Sequence, residues 1–582
     1  MNSLTSDERA LARWLAICAA CTAITLAVFA QTFSFDFLNF DDDLFISANP
    51  KLAQGLTIPG LQWAFGANLT HHDSHAEYWE PLTLLTRLAD AQFSGLNAGA
   101  HHRTSVLLHL AAGLILFGAM RALLRSDATA AVIAALFLVH PLHVEAVAWL
   151  SARKDVLNGL FFCATLWVYA WYAARPNWKR FAALCLAFLC ANMAKPMAVS
   201  LPVVLLLLDI WPLRRFPERL VSRATLRLIL EKVPLLLMAG AVAFLAVIDQ
   251  QQQGAMGDDV LYPLPVRLGN AAVSYCAYLG QTFLPVKLAI LYPHPGTALH
   301  WAAAAASAIF LLVITVGCVL QLKRRPWLFV GWMWFVVVLL PVSGIVQIGE
   351  MSRADRYTYI SLVGIFLLCA QQAREWLTRR AQQPALRAVA AAVIVAVVLA
   401  FAAVAWVQTS TWRNGITVFR HALSVTQSNY IAEANLGNAL FAAGDRQAGV
   451  EHYNEALRLN APALDFHRRS GLEAERQGQW RRAIQHYSKV LTLAPADVAV
   501  HQRLGGVLLQ TGDYAKALVQ FNECLRYERS AIPPRVGVAR ALIGLRRPDE
   551  ARGLLNFILQ MDPGSTEAAE LLHSLPEPQQ PY

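Results

Sequence analysis

Long apolar runs alternate with short polar and basic segments over the first 407 residues of the chain. Eleven of these runs approach the ~20 residues that an α-helix needs to cross a bilayer. They cover residues 11–30, 106–124, 128–139, 156–174, 181–194, 197–211, 233–248, 301–322, 327–348, 357–370 and 389–407. Several are shorter than a full span, so their helices must include flanking polar positions. We predict an all-α, polytopic membrane bundle of about eleven crossings.

A twelfth apolar segment, 266–284, is interrupted by polar residues. Lys and Arg cluster in alternate loops, as in membrane proteins whose basic loops are cytoplasmic. The alternation continues through the clusters at 323–325 and 374–387 only if 266–284 does not cross. We therefore predict an interfacial or re-entrant helix there, a cytoplasmic N-terminus and an outer C-terminus. The first run could instead be a cleaved signal peptide ending near residue 30, and the next segment is outside in either case.

Beyond residue 407 the composition changes and a period of 34 residues appears. Small and aromatic positions recur in three registers: Gly437, Gly471, Gly505 and Ala539; Gly449, Ala483, Ala517 and Ala551; Tyr453, Tyr487, Phe521 and Leu555. This period is typical of tetratricopeptide repeats, whose helix hairpins stack into a solenoid with a concave binding surface. We predict a membrane domain at 1–407 and repeats at 408–582, with a half repeat at 412–422. The repeats would bind a protein acceptor or partner.

Composition supports a membrane protein with a soluble attachment. The 582 residues are 56% hydrophobic and only 15% charged. The net charge of +10 resides largely in short loops between apolar runs, so we expect no nucleic-acid partner. The nine cysteines include Cys18 and Cys21 in CxxC spacing inside the first apolar run, and no disulfide framework appears.

Ionisable residues collect in the segments predicted to face outward. A charge beside hydrocarbon is costly unless it meets a partner or a wet cavity, so such clusters indicate function. The first outer loop, 31–101, carries Asp41, Asp42, Asp43 and Glu80. Later outer segments carry His140, His143, Glu145, Arg153, Lys154, Asp155, Lys195, Arg353, Arg356 and Tyr357. Cations could bind a lipid phosphate while a carboxylate deprotonates an acceptor hydroxyl.

Each cluster also has a simpler interpretation. The aspartates could only cap a helix, or Asp41 and Asp42 could hold a divalent cation. His140 and His143 could form half of a zinc site, or could hydrogen-bond Glu145 and shape the loop. The cluster His71, His72 and His75 resembles a metal site but is more often solvated. Arg353, Arg356 and Lys195 could be interface anchors with snorkelling side chains.

Several motifs together resemble the TMTC proteins, which are transmembrane and tetratricopeptide-repeat O-mannosyltransferases. They are Phe40-Asp41-Asp42 with Asn49-Pro50, the stretch 78–83 (YWEPLT), 140–145 (HPLHVE) with Arg153-Lys154-Asp155, and 354–357 (ADRY). The resemblance covers nearly the whole chain, and the His-Pro-x-His-x-Glu stretch is its most specific part. It implies a GT-C-type glycosyltransferase fold that uses a polyprenyl-phosphate-linked sugar outside the cytoplasm.

The same resemblance implies roles for individual residues. Asp41 and Asp42 match an acidic pair that carries the catalytic carboxylate, although the extra Asp43 and the presence of Glu80 depart from the pattern. The donor phosphate would be bound by Arg356, Lys195, Arg153 and Lys154. The residues expected to shape the site are His140, His143, Glu145, Asp155, Glu80, Arg353 and Tyr357. A divalent cation stays open as a cofactor.

The expected function is transfer of mannose or a similar hexose to a hydroxyl of a protein or other envelope acceptor. The expected location is the bacterial inner membrane, with the site and the repeats on the periplasmic side. Two other classes remain open. One is an oligosaccharide ligase with a lipid-diphosphate donor, and the other is a non-catalytic membrane scaffold whose repeats recruit partners.

Overall fold

The computed structural model describes residues 6–68, 78–217, 222–252, 262–380 and 382–576. The chain divides into two compact units, Met1–Gly449 and Val450–Tyr582. The division lies about forty residues after the change in composition at residue 407. The first unit therefore contains the segment that follows the last apolar run.

The helices of the first unit follow the apolar runs of the sequence. They are α1 Ser6–Phe29, α2 Ile58–Gly66, α3 Pro81–Ser94, α4 Ala98–Leu124, α5 Asp127–Val139, α6 Val144–Ala148, α7 Arg153–Ala174, α8 Trp178–Ala194, α9 Leu201–Ile210, α10 Arg223–Leu230, α11 Val233–Gln252, α12 Leu264–Phe283, α13 Trp301–Leu320, α14 Pro326–Leu339, α15 Thr358–Arg379, α16 Pro384–Ser410, α17 Gly415–Val425 and α18 Tyr430–Ala442. Two short strands, β1 Tyr292–Pro293 and β2 Met351–Arg353, pair antiparallel. The all-α fold class is confirmed.

Each of the eleven predicted runs overlaps a helix, and residues 266–284 form the separate helix α12. Within the described part of the chain, six helical segments are long and apolar enough to cross a membrane. The number rises to seven if α5 and α6, bent by 54°, count as one span. The segments Pro196–Ile210 and Pro326–Val342 are apolar but shorter. A membrane protein is thus confirmed, whereas the count of eleven crossings stays a prediction.

Small residues allow close packing between the apolar helices. A Cβ on Gly331 of α14 would lie 2.5 Å from the carbonyl oxygen of Gly364 on α15. A Cβ on Gly113 of α4 would lie 2.3 Å from the side chain of Leu138 on α5. Helices in lipid associate largely through such packing, because the surrounding tails are as apolar as the side chains. These glycines therefore fix the bundle that supports the loops.

The hairpin α17–α18 shares the apolar core of the membrane helices. Trp412, Phe419 and Ala422 are buried, as are Leu436 and Leu440, and all belong to the core that also contains residues of α1 and α4. An Asn414–Thr417 capping box begins α17. The hairpin is therefore an integral part of the first unit.

The second unit contains the helices of the repeats. They are α19 Arg446–Arg476, which begins in the first unit, α20 Trp480–Leu493, α21 Val498–Gln510, α22 Tyr514–Tyr527, α23 Ile532–Gly544, α24 Pro548–Met561 and α25 Thr566–His573. Gly471 and Gly505 lie against the rings of Tyr487 and Phe521, where a Cβ would approach within 2.6 and 2.8 Å. The small and aromatic positions of the 34-residue period are thus partners in packing.

Removing the repeats after residue 449 should leave the first unit folded, whereas ending the chain after residue 420 should not. The shorter protein lacks α18, so the buried faces of Trp412 and Phe419 would be exposed to water. Losing two or more such contacts costs several kcal/mol. Thermal unfolding and size-exclusion chromatography in detergent, with the full-length chain as control, measure the difference. Equal melting temperatures for the two truncated proteins would contradict this assignment of the hairpin.

Candidate active site

Asp41 lies in a tight turn that presents it to a cavity. Its backbone is left-handed, with φ of 65°, and the N–H of Asp42 donates to the carbonyl of Phe40 at 2.8 Å. Aspartate tolerates this conformation better than most residues. Among the described residues, none hydrogen-bonds the Asp41 carboxylate. Its oxygens are therefore available to a bound molecule.

Asp42, the neighbouring acid, anchors the turn. One carboxylate oxygen accepts from the backbone N–H of Ser151 at 2.9 Å and from its hydroxyl at 2.6 Å. The other oxygen accepts from the N–H of Leu38 at 3.0 Å. The side chain is 1% exposed. Asp42 thus joins the first loop to the segment before α7, and both of its oxygens already have protein partners.

The cavity beside Asp41 has a charged end and an apolar wall. Its volume is about 330 Å³. The charged end contains three cations, Lys154, Lys195 and Arg356, together with Asp41. Aromatic side chains and an apolar wall complete it: Tyr78, Trp149, Tyr357, Val199, Ala243, Ala246, Val247, Val342, Val346 and Ile348. The cavity therefore suits an anionic group attached to a hydrocarbon chain.

Two of the cations are fixed by acids that stand behind them. Glu145 contacts Nη1 of Arg356 with one oxygen and accepts from the backbone N–H of Arg356 at 2.9 Å with the other. Asp155 lies 2.6 Å from Nζ of Lys195. The other Arg356 nitrogens, Nε and Nη2, donate to none of the described residues. These N–H groups can therefore serve a ligand.

Burial changes the acidity of the carboxyl groups in this region. Loss of water raises the pKa of Asp41, and the positive charges of Lys154 and Arg356 oppose that rise. Burial also raises the pKa of Asp42 to about 6 and that of Glu80 to about 7. A carboxylate whose pKa lies above its ordinary value is a better proton acceptor.

The two histidines shape the backbone rather than contact the acid. His140 Nε2 lies 2.9 Å from the carbonyl oxygen of Thr282, and its Nδ1 accepts from the N–H of Leu142 at 3.3 Å. His143 Nδ1 lies 2.7 Å from the carbonyl of Phe137. The prediction that these rings hydrogen-bond Glu145 is therefore wrong, because both carboxylate oxygens of Glu145 bind Arg356. Over the described ranges, no group of three or more His, Cys, Asp or Glu side chains could hold a metal ion.

Three other predicted residues lie outside the cavity. Arg153 is buried, and it pairs with Asp90 at 2.6 Å and donates to the carbonyl of His101 at 2.8 Å. Glu80 is buried 3.9 Å from Arg87. Arg353 stacks on the ring of Tyr292 at 3.9 Å.

We therefore do not keep Arg153 among the candidate phosphate ligands, because its guanidinium is already satisfied by protein groups. The cluster His71, His72 and His75 lies outside the described residues.

Sequence reasoning missed two residues of the site. Trp149 lines the cavity, donates from Nε1 to the carbonyl of Phe40 at 3.1 Å and lies 5.0 Å from the Arg356 guanidinium. Ser151 supplies two of the hydrogen bonds to Asp42. Both residues stand between His143 and Arg153 in the same predicted outer loop. Their position in that loop was the signal that could have identified them.

Comparisons with known proteins agree with the two parts of the chain. A family profile described as "Tetratricopeptide repeat" matches residues 474–529 and 508–575, so tetratricopeptide repeats are confirmed over these residues. The mouse protein O-mannosyl-transferase TMTC2 is 32% identical over 207 residues, which is 33% of this chain and 24% of that protein. Human TMTC4 is 32% identical over 157 residues, or 24% of this chain and 21% of the relative.

The resemblance to the TMTC proteins is thus confirmed at the level of sequence. The aligned region spans about a quarter of the length of these curated relatives.

Solved structures give weaker similarity. ArnT from Cupriavidus metallidurans bound to undecaprenyl phosphate has a TM-score of 0.34 and 13% identity, covering 79% of this chain and 80% of that one. YrrB, a TPR protein with an unusual peptide-binding site, has a TM-score of 0.18 and 17% identity, covering 27% and 80%.

Asp42→Asn should destabilise the first unit, because an amide cannot accept all three hydrogen bonds. One donor would lose its partner inside the protein, at a cost of about 1–3 kcal/mol. Asp43→Asn is the matched control, since Asp43 is exposed and bonds only the N–H of Leu44 among the described residues. Thermal unfolding in detergent is the measurement. An unchanged melting temperature for Asp42→Asn would contradict its anchoring role.

Proposed function

We propose that this protein is a glycosyltransferase that moves mannose or a similar hexose from a polyprenyl-phosphate donor to a hydroxyl of a protein or envelope acceptor. The observation that carries the proposal is one cavity in which three cations and an apolar wall meet a carboxylate that none of the described residues hydrogen-bonds. The sequence similarity to protein O-mannosyl-transferases supports the same reaction class. The alternation of basic loops favours the extracytoplasmic side for the cavity.

The reaction requires one proton acceptor and a site for a leaving phosphate. The acceptor oxygen attacks the anomeric carbon, and the bond from that carbon to the phosphate oxygen breaks with inversion. The hydroxyl proton passes to Asp41, and the electron pair leaves with the lipid phosphate. Phosphate is a good leaving group, so cations can stabilise its charge without a strong general acid.

Two of the three cations keep donors that a leaving phosphate could use. Arg356 presents Nε and Nη2, while Glu145 holds its other nitrogen. Lys195 keeps protons available beyond its contact with Asp155. The apolar wall from α11 and residues 342–348 offers a surface for the polyprenyl chain. Charge and hydrocarbon of one donor would thus be bound at adjoining surfaces.

The repeats have a separate role in the proposal. The described residues assigned to chemistry all lie in the first unit, and solenoid repeats commonly bind peptides or partner proteins. We propose that the repeats hold the protein acceptor and thereby raise its local concentration.

Asp41→Asn should lower the maximal rate of sugar transfer by about 10²–10⁴-fold, which is the usual contribution of a general base. The assay uses purified full-length protein, a radiolabelled polyprenyl-phosphate hexose and an acceptor from the same envelope. Asp43→Asn serves as control and should keep its rate. Normal transfer by Asp41→Asn would remove the proposed base.

The pH dependence of the transfer rate is set by the same residue, Asp41. Only the deprotonated form of Asp41 accepts a proton, so the rate should fall as the pH drops through its pKa. Because burial raises that pKa, the fall should begin at a higher pH than for an ordinary aspartate near 4. Rate profiles between pH 4 and 8 test this. A rate that is constant down to pH 4 would exclude a carboxyl group with a raised pKa as the base.

Lys195→Ala should raise the apparent KM for the lipid donor by about tenfold or more, the value of one charge-assisted hydrogen bond. Lys195→Arg preserves the charge and is the control. Donor titration with monophosphate and diphosphate lipids measures the effect and also separates this reaction from that of an oligosaccharide ligase. Unchanged donor KM and maximal rate in Lys195→Ala would make Lys195 an interface anchor only.

A further inference from the structure

The hairpin α17–α18 contacts the loop that carries Asp41. The carbonyl of Arg413, just before α17, accepts from the N–H of Asp36 at 3.1 Å. The side chain of Asn39 donates to the carbonyl of Asn435 on α18 at 2.9 Å. The ring of Phe40 meets that of Phe419 on α17 edge to face, with 6.0 Å between centroids. Residues immediately before Asp41 therefore rest on the hairpin.

The fit between Asn39 and the hairpin requires a glycine. A Cβ on Gly415, the first residue of α17, would lie 1.9 Å from Oδ1 of Asn39. Such a distance is less than a van der Waals contact by more than an ångström. The absence of a side chain at Gly415 thus lets Asn39 reach α18, and any larger residue must displace the Asn39 side chain from this position.

The opposite side of the hairpin holds the segment that leads to Arg356. Asn429, before α18, donates to the carbonyl of Leu291 at 3.1 Å, and the hydroxyl of Tyr430 contacts Glu350. Leu291 and Glu350 flank the strands β1 and β2, which pair with each other. Tyr292 of β1 donates to Asp355 at 2.9 Å, directly before Arg356.

The two sides converge on Trp149. Its indole N–H donates to the carbonyl of Phe40, and the two rings stack with 5.4 Å between centroids. The guanidinium of Arg356 lies 5.0 Å from the same ring. The hairpin, Phe40, Trp149 and Arg356 therefore form one continuous set of contacts around Asp41.

We propose that the α17–α18 hairpin sets the distance between the proton acceptor and the phosphate-binding cation. Asn39 positions Asp41, Asn429 positions the Arg356 segment, and neither touches the substrate. This inference rests on the proposed transferase function and assigns to the hairpin a role in transfer itself, beyond linking the membrane helices to the repeats. Displacing a reacting group by about 1 Å can cost about 100-fold in rate. The contacts of the hairpin therefore control transfer without taking part in it.

The first experiment compares Asn39→Ala and Asn429→Ala in the full-length protein. Asn39→Ala should lower kcat by about 10-fold or more, because the acceptor proton no longer meets a well-placed carboxylate, and should leave the donor KM unchanged. Asn429→Ala should raise the donor KM instead. Ser424→Ala, an exposed hairpin position, should change neither constant. Melting temperatures show that each variant is folded, and a merely structural role would lower them without dividing the effects between kcat and KM.

The second experiment is a double-mutant cycle between Asn39 and Gly415. Gly415→Ala should lower kcat, because its methyl group collides with Asn39. The double variant Asn39→Ala, Gly415→Ala removes the colliding oxygen, so it should be no slower than Asn39→Ala alone. Phe419→Leu, which keeps an apolar contact to Phe40, provides a further test if Gly415→Ala yields too little folded protein, and should lower kcat with the donor KM unchanged.

Three results would overturn the inference. They are wild-type kcat in folded Asn39→Ala and Phe419→Leu, losses that multiply in the double variant, or equal effects of the two asparagine changes on kcat and KM. If Asp41→Asn is inactive in the same assay, the proposed function stands while the positioning role fails. If Asp41→Asn is fully active, Asp41 is not the base and the positioning role fails with it, whereas a wild-type protein that transfers no sugar would overturn the proposed function itself.

Discussion

Ionised side chains persist inside an apolar bundle only where opposite charges and hydrogen bonds replace water. In this protein Glu145 compensates Arg356 and Asp155 compensates Lys195. The two cations line the cavity, whereas the two acids paired with them do not. The cavity surface at these positions is therefore positive. The same rule operates elsewhere in the bundle, where buried Lys232 lies 2.9 Å from Asp209. The cations that line the cavity thus depend on acids that do not line it.

Much of the fold could be predicted from the sequence because its signals are local. Apolar length identifies the helices, and a 34-residue period identifies the repeats without knowledge of any long-range contact. Five residues named from sequence do line one cavity: Asp41, Lys154, Lys195, Arg356 and Tyr357. That convergence could be anticipated because the loops carrying them lie on one predicted side of the membrane. The number of membrane crossings could not be predicted. Several apolar helices are too short for their length alone to show whether they cross the membrane.

Adjacent residues show why the individual roles could not be predicted. Arg153 and Lys154 are neighbours at the start of α7, and successive helical residues point about 100° apart. One therefore reaches Asp90 and the other reaches the cavity. Asp41 and Asp42 also differ in their partners, because Ser151 hydrogen-bonds only Asp42. In each pair, the residue that determines the role is distant in sequence: Asp90 for the first pair and Ser151 for the second. Composition therefore does not reveal it.

The hairpin after the last membrane helix shows how a repeat-like segment can join another domain. Its apolar residues, among them Phe419 and Leu436, must be covered by some neighbour. The period of the repeats does not specify whether that neighbour is another hairpin or the membrane bundle. Here the core is shared with the bundle, and Asn39 reaches α18 only because Gly415 has no side chain. Composition changes at residue 407, where the last apolar run ends, whereas packing changes near residue 449, where the first compact unit ends. The segment between these two positions has the sequence pattern of a repeat, yet it packs against the loop that carries Asp41.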